Sequence, residues 1–136
     1  MQGRLSCPAG GKIQSFPFNT WEKEFPLAKK LGLDEIEFIF TNDNYLENPI
    51  YADRGVEKIK QLVKTTGVQV RFICADYFME KPFFRANQNT FKENIAILRR
   101  LISQAGKLGV KSIEIPLVDN SSIRTAEEKG VLVKAI

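Results

Sequence analysis

The chain has 136 residues, is 43% hydrophobic and 26% charged, and carries a formal net charge of +4. That length suits one domain, spanning 1–136, and the ordinary apolar fraction argues against wholesale disorder. The sequence contains no histidine, which rules out a Ser-His-Asp triad, a Cys-His pair and any imidazole-ligated metal site within one chain. Any proton transfer then falls to carboxylates, lysine, tyrosine or water. Cys7 and Cys74 are too few for a disulfide framework and too far apart for a zinc motif, so a reduced, cytoplasmic protein is the expectation. No apolar run approaches the roughly 18 residues of a membrane span. The first residues, Met1 to Ser6, do not lead into the apolar stretch of a secretory signal, and no membrane partner is expected.

In chain order, Gln2 to Ser6 reads as the end of a first strand. Thr20 is a candidate cap for a helix carrying Trp21, Phe25, Ala28 and Leu31, although Pro26 removes one of its hydrogen bonds. Gly32 closes that helix, and Asp34 to Phe40 follows as a short strand. Asp53 is a candidate cap for a second helix with Val56, Ile59 and Val63 inward. Gly67 closes it, and Gln69 to Ala75 is the next strand. Thr90-Phe91-Lys92-Glu93 fits a capping box, with Phe91, Ile95, Leu98, Ile102 and Ala105 as the apolar stripe of a long helix. Gly109 ends that helix before the strand Lys111 to Val118. Ser121, Ser122 and Thr125 open a last helix, with Glu127 and Glu128 near its positive end.

The repeated junction is the strongest organising signal. Each glycine follows a helix, where only a left-handed residue fits easily, and each precedes a short run rich in Ile, Val and Phe. The glycines lie 35 and 42 positions apart, about one strand-helix unit each. Strands alternating with helices predict an α/β fold with a parallel sheet. The count is four βα units, the first and last incomplete. This is about half of a closed (βα)8 barrel, which takes ~250 residues.

Asp43, Asp76 and Asp119 follow the helix-ending glycines by 11, 9 and 10 residues, placing each just past a strand. In parallel α/β folds that rim is where loops converge on ligands. The same residue type also favours turns and caps; the set is evenly divided between the two readings, with the turn reading favoured for Asp43 in Thr41-Asn42-Asp43-Asn44. Glu37, Arg71 and Glu114 are charges within strands that should be mostly apolar. Facing a lumen, Arg71 would bridge the two glutamates, and a structural ion network is favoured over direct catalysis. Strict alternation puts Glu37 with Ile39, and Arg71 with Ile73 and Ala75. Cys74 reads as a buried structural thiol, since no base is at hand to activate it. Lys81-Pro82-Phe83-Phe84-Arg85 reads as a loop packed over a pocket mouth in preference to a phosphate or base clamp. No glycine-rich phosphate loop is present.

Taken together, several stretches resemble the sugar phosphate isomerase/epimerase family. They are Gly3-Arg4-Leu5-Ser6, Phe16-Pro17-Phe18-Asn19-Thr20-Trp21-Glu22, Leu31-Gly32-Leu33-Asp34-Glu35-Ile36-Glu37, Glu47-Asn48-Pro49, Cys74-Ala75-Asp76-Tyr77-Phe78 and Glu114-Ile115-Pro116-Leu117-Val118-Asp119-Asn120. The resemblance implies the N-terminal half of a xylose isomerase-like TIM barrel. It implies an isomerase or epimerase that moves a proton between adjacent carbons of a sugar or sugar phosphate through an enediolate. The family's divalent metal (Mn, Mg, Co or Zn) is held mainly by later strands, so no metal ligand is carried over and this chain alone is expected to bind none. Catalytic residues stay unassigned. The residues carried over to the pocket wall are Gln2, Arg4, Asp76, Tyr77, Asp119 and Asn120, with Glu37 and Glu114 as secondary candidates.

Two functional expectations follow. In the first, the chain is half of a sugar isomerase or epimerase, completed by a C-terminal half. In the second, it is a non-catalytic half-barrel that self-associates through its open sheet edges and binds a small anionic metabolite. Nucleic-acid binding, suggested by the pI of about 9.1 and by kinship with abasic-site endonucleases, is set aside because their multi-zinc sites are rich in histidine.

Overall fold

The computed structural model describes residues 5–6 and 15–136. Residues 2–4 of the expected first strand, including the candidates Gln2 and Arg4, and Cys7 lie outside the described residues, while Leu5 and Ser6 form a bend and not a strand. Within them, three parallel strands form one sheet in the order β1 (Glu35–Ile39), β2 (Gln69–Cys74), β3 (Ser112–Glu114). Five helices accompany it: α1 (Trp21–Lys30), α2 (Asp53–Thr66), α3 (Tyr77–Glu80), α4 (Gln88–Leu108) and α5 (Ala126–Ala135). The fold is thus an α/β unit of strands alternating with helices. None of the described helices is long and apolar enough to cross a membrane.

The glycine junctions fold as their chemistry requires. Gly32, Gly67 and Gly109 have φ of 72°, 81° and 69°, left-handed values that a Cβ would strain. Helix starts differ from expectation. Asn87, not Thr90, caps α4: its side chain accepts from the Thr90 N–H at 2.9 Å, which moves the helix start three residues upstream. Asp53 is the first residue of α2, not its cap. Thr20 does occupy the cap position of α1, but its hydroxyl bonds Ser6 Oγ at 3.0 Å instead of the helix. Thr125 caps α5 through the Glu128 N–H. Ser121 does not start that helix; its buried hydroxyl ties the turn at Pro116 and Val118.

The core lies on one face of the sheet. Ile36, Phe38, Val70 and Ile73 pack there with Phe25 and Ala28 of α1, Ile59 of α2, and Ile97, Leu98, Leu101 and Ala105 of α4. The buried stripe of α4 is rotated from the expected one, leaving Ile102 54% exposed and burying Asn94 and Gln104 completely. Those two amides are structural pins. Asn94 Nδ2 donates to the Lys81 carbonyl at 2.8 Å, and Gln104 Nε2 to the Tyr51 carbonyl at 3.1 Å. One helix thereby holds both the loop after β1 and the loop after β2.

The sheet contains one irregularity. Ile36 pairs with Val70, yet Glu37 pairs with Phe72, so Arg71 is an extra residue bulged out of β2. Val70 and Ile73 are both buried, and the two residues between them both lie off the core face. Strict alternation, with Arg71 beside Ile73 and Ala75, would have buried a guanidinium. The bulge turns the side chain off the core and leaves it 36% exposed, although its Nε is buried without a hydrogen-bond partner.

Candidate functional site

The three loops that follow the strands converge at one end of the sheet. From the β1 loop, Asn42 Nδ2 donates to Glu80 Oε2 at the end of α3 at 2.9 Å. From the β2 loop, Arg85 reaches the β3 loop and α5: its guanidinium donates to the Asn120 carbonyl at 2.5 Å and pairs with Glu128 at 2.5 Å. The 3-10 turn Asp119–Ser121 packs on α3. Phe83 and Phe84 are buried under this bridge, and the Arg85 guanidinium stacks 4.7 Å from the Phe84 ring centroid. The Lys81–Arg85 segment is therefore a packed loop whose arginine is fully engaged.

The face of the sheet opposite the core carries Glu35, Glu37, Phe72, Ser112 and Glu114. In register, Glu37 lies beside Phe72 and Phe72 beside Ser112, and one step along Cys74 lies beside Glu114. Glu37 is half-buried, and Ser112 and Glu114 are exposed. The Glu37 carboxyl is pushed above the ordinary glutamate range, first by burial and then by the negative charges of Glu114 and Asp76. Cys74, buried one step along, donates to Asp76 Oδ1 at 3.0 Å. Burial, that hydrogen bond and the neighbouring acids push its thiol strongly upward, so it is inert as a nucleophile.

Several candidates are brought together and others are not. Glu114 and Asp76 both act electrostatically on Glu37. Arg71 does not bridge Glu37 and Glu114; bulged out of the ladder, it sits 3.7 Å from Glu35 in a half-exposed pair. Tyr77 is fully buried, packed against Phe40, Tyr45 and Phe78, and burial raises its phenol. It belongs to an aromatic cluster under the rim. Asp119 and Asn120 are exposed on the β3 loop, and Asp119 has φ of 49°, a left-handed turn conformation that aspartate tolerates. Asp43 is exposed in the β1 loop.

The structural roles of the buried polar residues that carry the architecture were not read from the sequence. Asn48, fully buried, donates to the Ile39 carbonyl at 3.1 Å and accepts from the Ile50 N–H at 3.1 Å, fixing the exit from β1. Glu24, 5% exposed on α1, accepts from the Leu5 and Ser6 N–H groups at 2.5 and 3.0 Å and from the Ser6 hydroxyl. A polar residue in step with an apolar helical stripe, as Glu24 is with Phe25 and Ala28, is the signal that marks such pins.

Among the described residues, no three Cys, Asp or Glu side chains are grouped to hold a metal ion. No protein-family model matches the chain, and no curated protein matches it either.

Proposed function

We propose that this chain forms one wall of a sugar or sugar-phosphate isomerase/epimerase-type pocket, as the N-terminal half of a TIM barrel. The observation that carries the reading is the placement of Glu37, Asp76 and Glu114. These acids lie on or beside the sheet face opposite the core, at the end where the three strand-to-helix loops are tied together. Carboxylates in that position accept hydrogen bonds from ligand hydroxyls, and the raised Glu37 carboxyl holds a proton to higher pH than an ordinary glutamate. In this reading the chain binds and orients the ligand. The family's proton transfer through an enediolate requires groups beyond these, and no metal step is assigned to them.

A second reading is a self-associating, non-catalytic half-barrel. It is favoured by β3, which has a neighbour on one side only among the described residues, and by the exposed Leu117 and Val118 beyond it. Light scattering at micromolar concentration separates the two, since a monomer counts against this second reading.

The primary reading is tested by NMR titration of the chain with aldoses, ketoses and their phosphates. Shifts confined to Glu37, Asp76, Glu114, Asp119 and Asn120 are expected. No shift with any of these ligands, or shifts confined to the groove between α1 and α2 around Trp21, Arg54 and Lys58, would overturn it.

A further inference from the structure

The bulge at Arg71 has a chemical consequence for the open face. Val70 and Ile73 both require burial, so the two residues between them turn away from the core. Arg71 goes to the N-terminal end of the sheet, beside Glu35. Phe72 is left in register between Glu37 and Ser112, 38% exposed and outside the apolar core. A phenylalanine ring lying open between a carboxyl and a hydroxyl, one step from Glu114, is a poor structural choice and a good binding surface. Its flat apolar face suits the C–H face of a sugar ring, while the flanking acceptors suit the ring's hydroxyls. Among the described residues the charges on and around this surface are mainly negative: Glu35, Glu37, Asp76 and Glu114, with Arg71 3.7 Å from Glu35. At the rim, Arg85 is likewise occupied by Glu128 and backbone carbonyls.

We infer that this face takes a neutral polyhydroxyl ligand stacked on Phe72, with its hydroxyls on Glu37 and Glu114, and that it discriminates against phosphorylated sugars. A phosphate dianion brought within a few ångströms of Glu37 and Glu114 meets like charge, and of the described guanidiniums near this face Arg71 and Arg85 already face Glu35 and Glu128. The inference rests on the proposed function and narrows its substrate class to the unphosphorylated sugar.

The test is NMR titration of the intact chain with one neutral ketose and with its phosphate ester at matched ionic strength. The readout is ring-proton contacts between Phe72 and the added sugar, sought in the wild-type protein. The expected result is contacts from the Phe72 ring to sugar C–H protons, with the phosphate ester binding this face weaker by roughly tenfold or more. Phe72→Leu, which keeps an apolar side chain in place, should weaken the neutral sugar several-fold. Phosphate ester binding as well as or better than the neutral sugar would overturn this inference and leave the proposed function standing. The same holds for neutral-sugar binding that shows no contact to Phe72 and is unchanged in Phe72→Leu. Failure of both ligands to bind this face would overturn inference and function together.

Discussion

Val70 and Ile73 share the buried face of β2 although three positions separate them. In a regular strand they would point to opposite sides, so the side chains between them feel the bulge most. Ile73 is fully buried and Phe72 is not. Ile73→Ala should therefore cost about 2–5 kcal/mol, and Phe72→Ala less than about 1.5 kcal/mol. Chemical denaturation of the two variants checks this. Equal losses would mean that Phe72 is packed in the folded protein.

Gly55 occupies a contact that no side chain can enter. A Cβ built there would stand 2.2 Å from the Pro49 carbonyl oxygen and 2.4 Å from its Cα. Both are backbone atoms of the segment that Asn48 anchors to β1. Gly55→Ala must push the start of α2 away from that loop, at a cost of about 1–3 kcal/mol despite alanine's better helix propensity. Thermal unfolding reads the loss, and an unchanged or raised melting temperature would refute it.

The Glu24 carboxylate holds Leu5 and Ser6 against α1 through three donors. Glu24→Ala leaves those donors without their acceptor and should cost about 1–3 kcal/mol. Amide hydrogen exchange should quicken at Ser6 more than at Ile73 in the variant. Uniform acceleration across the chain would show that the contact is not local.

Asp53 sits between Lys107 and Arg100 at 2.5 and 3.1 Å, and hydrogen bonds from both hold its carboxyl down to about 2. A folded-state value below the unfolded one means stability that is present above about 3.8 and is lost as pH falls through about 2. Wild type should thus unfold at a higher temperature than Asp53→Asn at pH 5, with the gap small because the site is exposed. The gap should shrink toward pH 2 and close below it. A gap that widens in acid would reverse the sign of the argument.

The strand-helix alternation was legible because it is written in local chemistry. Glycines at 32, 67 and 109 need left-handed backbone, and the runs after them are too short and too β-branched for helices. The rim positions of Asp76 and Asp119 followed from the same spacing. What local pattern missed was set by tertiary context. That neither Arg71 nor Phe72 faces the core follows from the need to bury both Val70 and Ile73, which only the register with β1 reveals. The inner stripe of α4 runs through Asn94 and Gln104, polar residues whose buried partners are backbone carbonyls of distant loops. Tyr77 is adjacent to Asp76 in sequence yet turns into the aromatic cluster beneath the rim.

The central claim is that side chains from separate strands and loops form one electrostatic surface on the face away from the core. Its most direct measurement is the carboxyl carbon titration of Glu37 in wild type and in Glu114→Gln. Burial and the nearby acids raise the Glu37 midpoint above the ordinary glutamate value, and removing the Glu114 charge should lower it part of the way back. A Glu37 midpoint at the ordinary value, or one indifferent to Glu114→Gln, would mean that β1 and β3 do not present their acids to the same ligand.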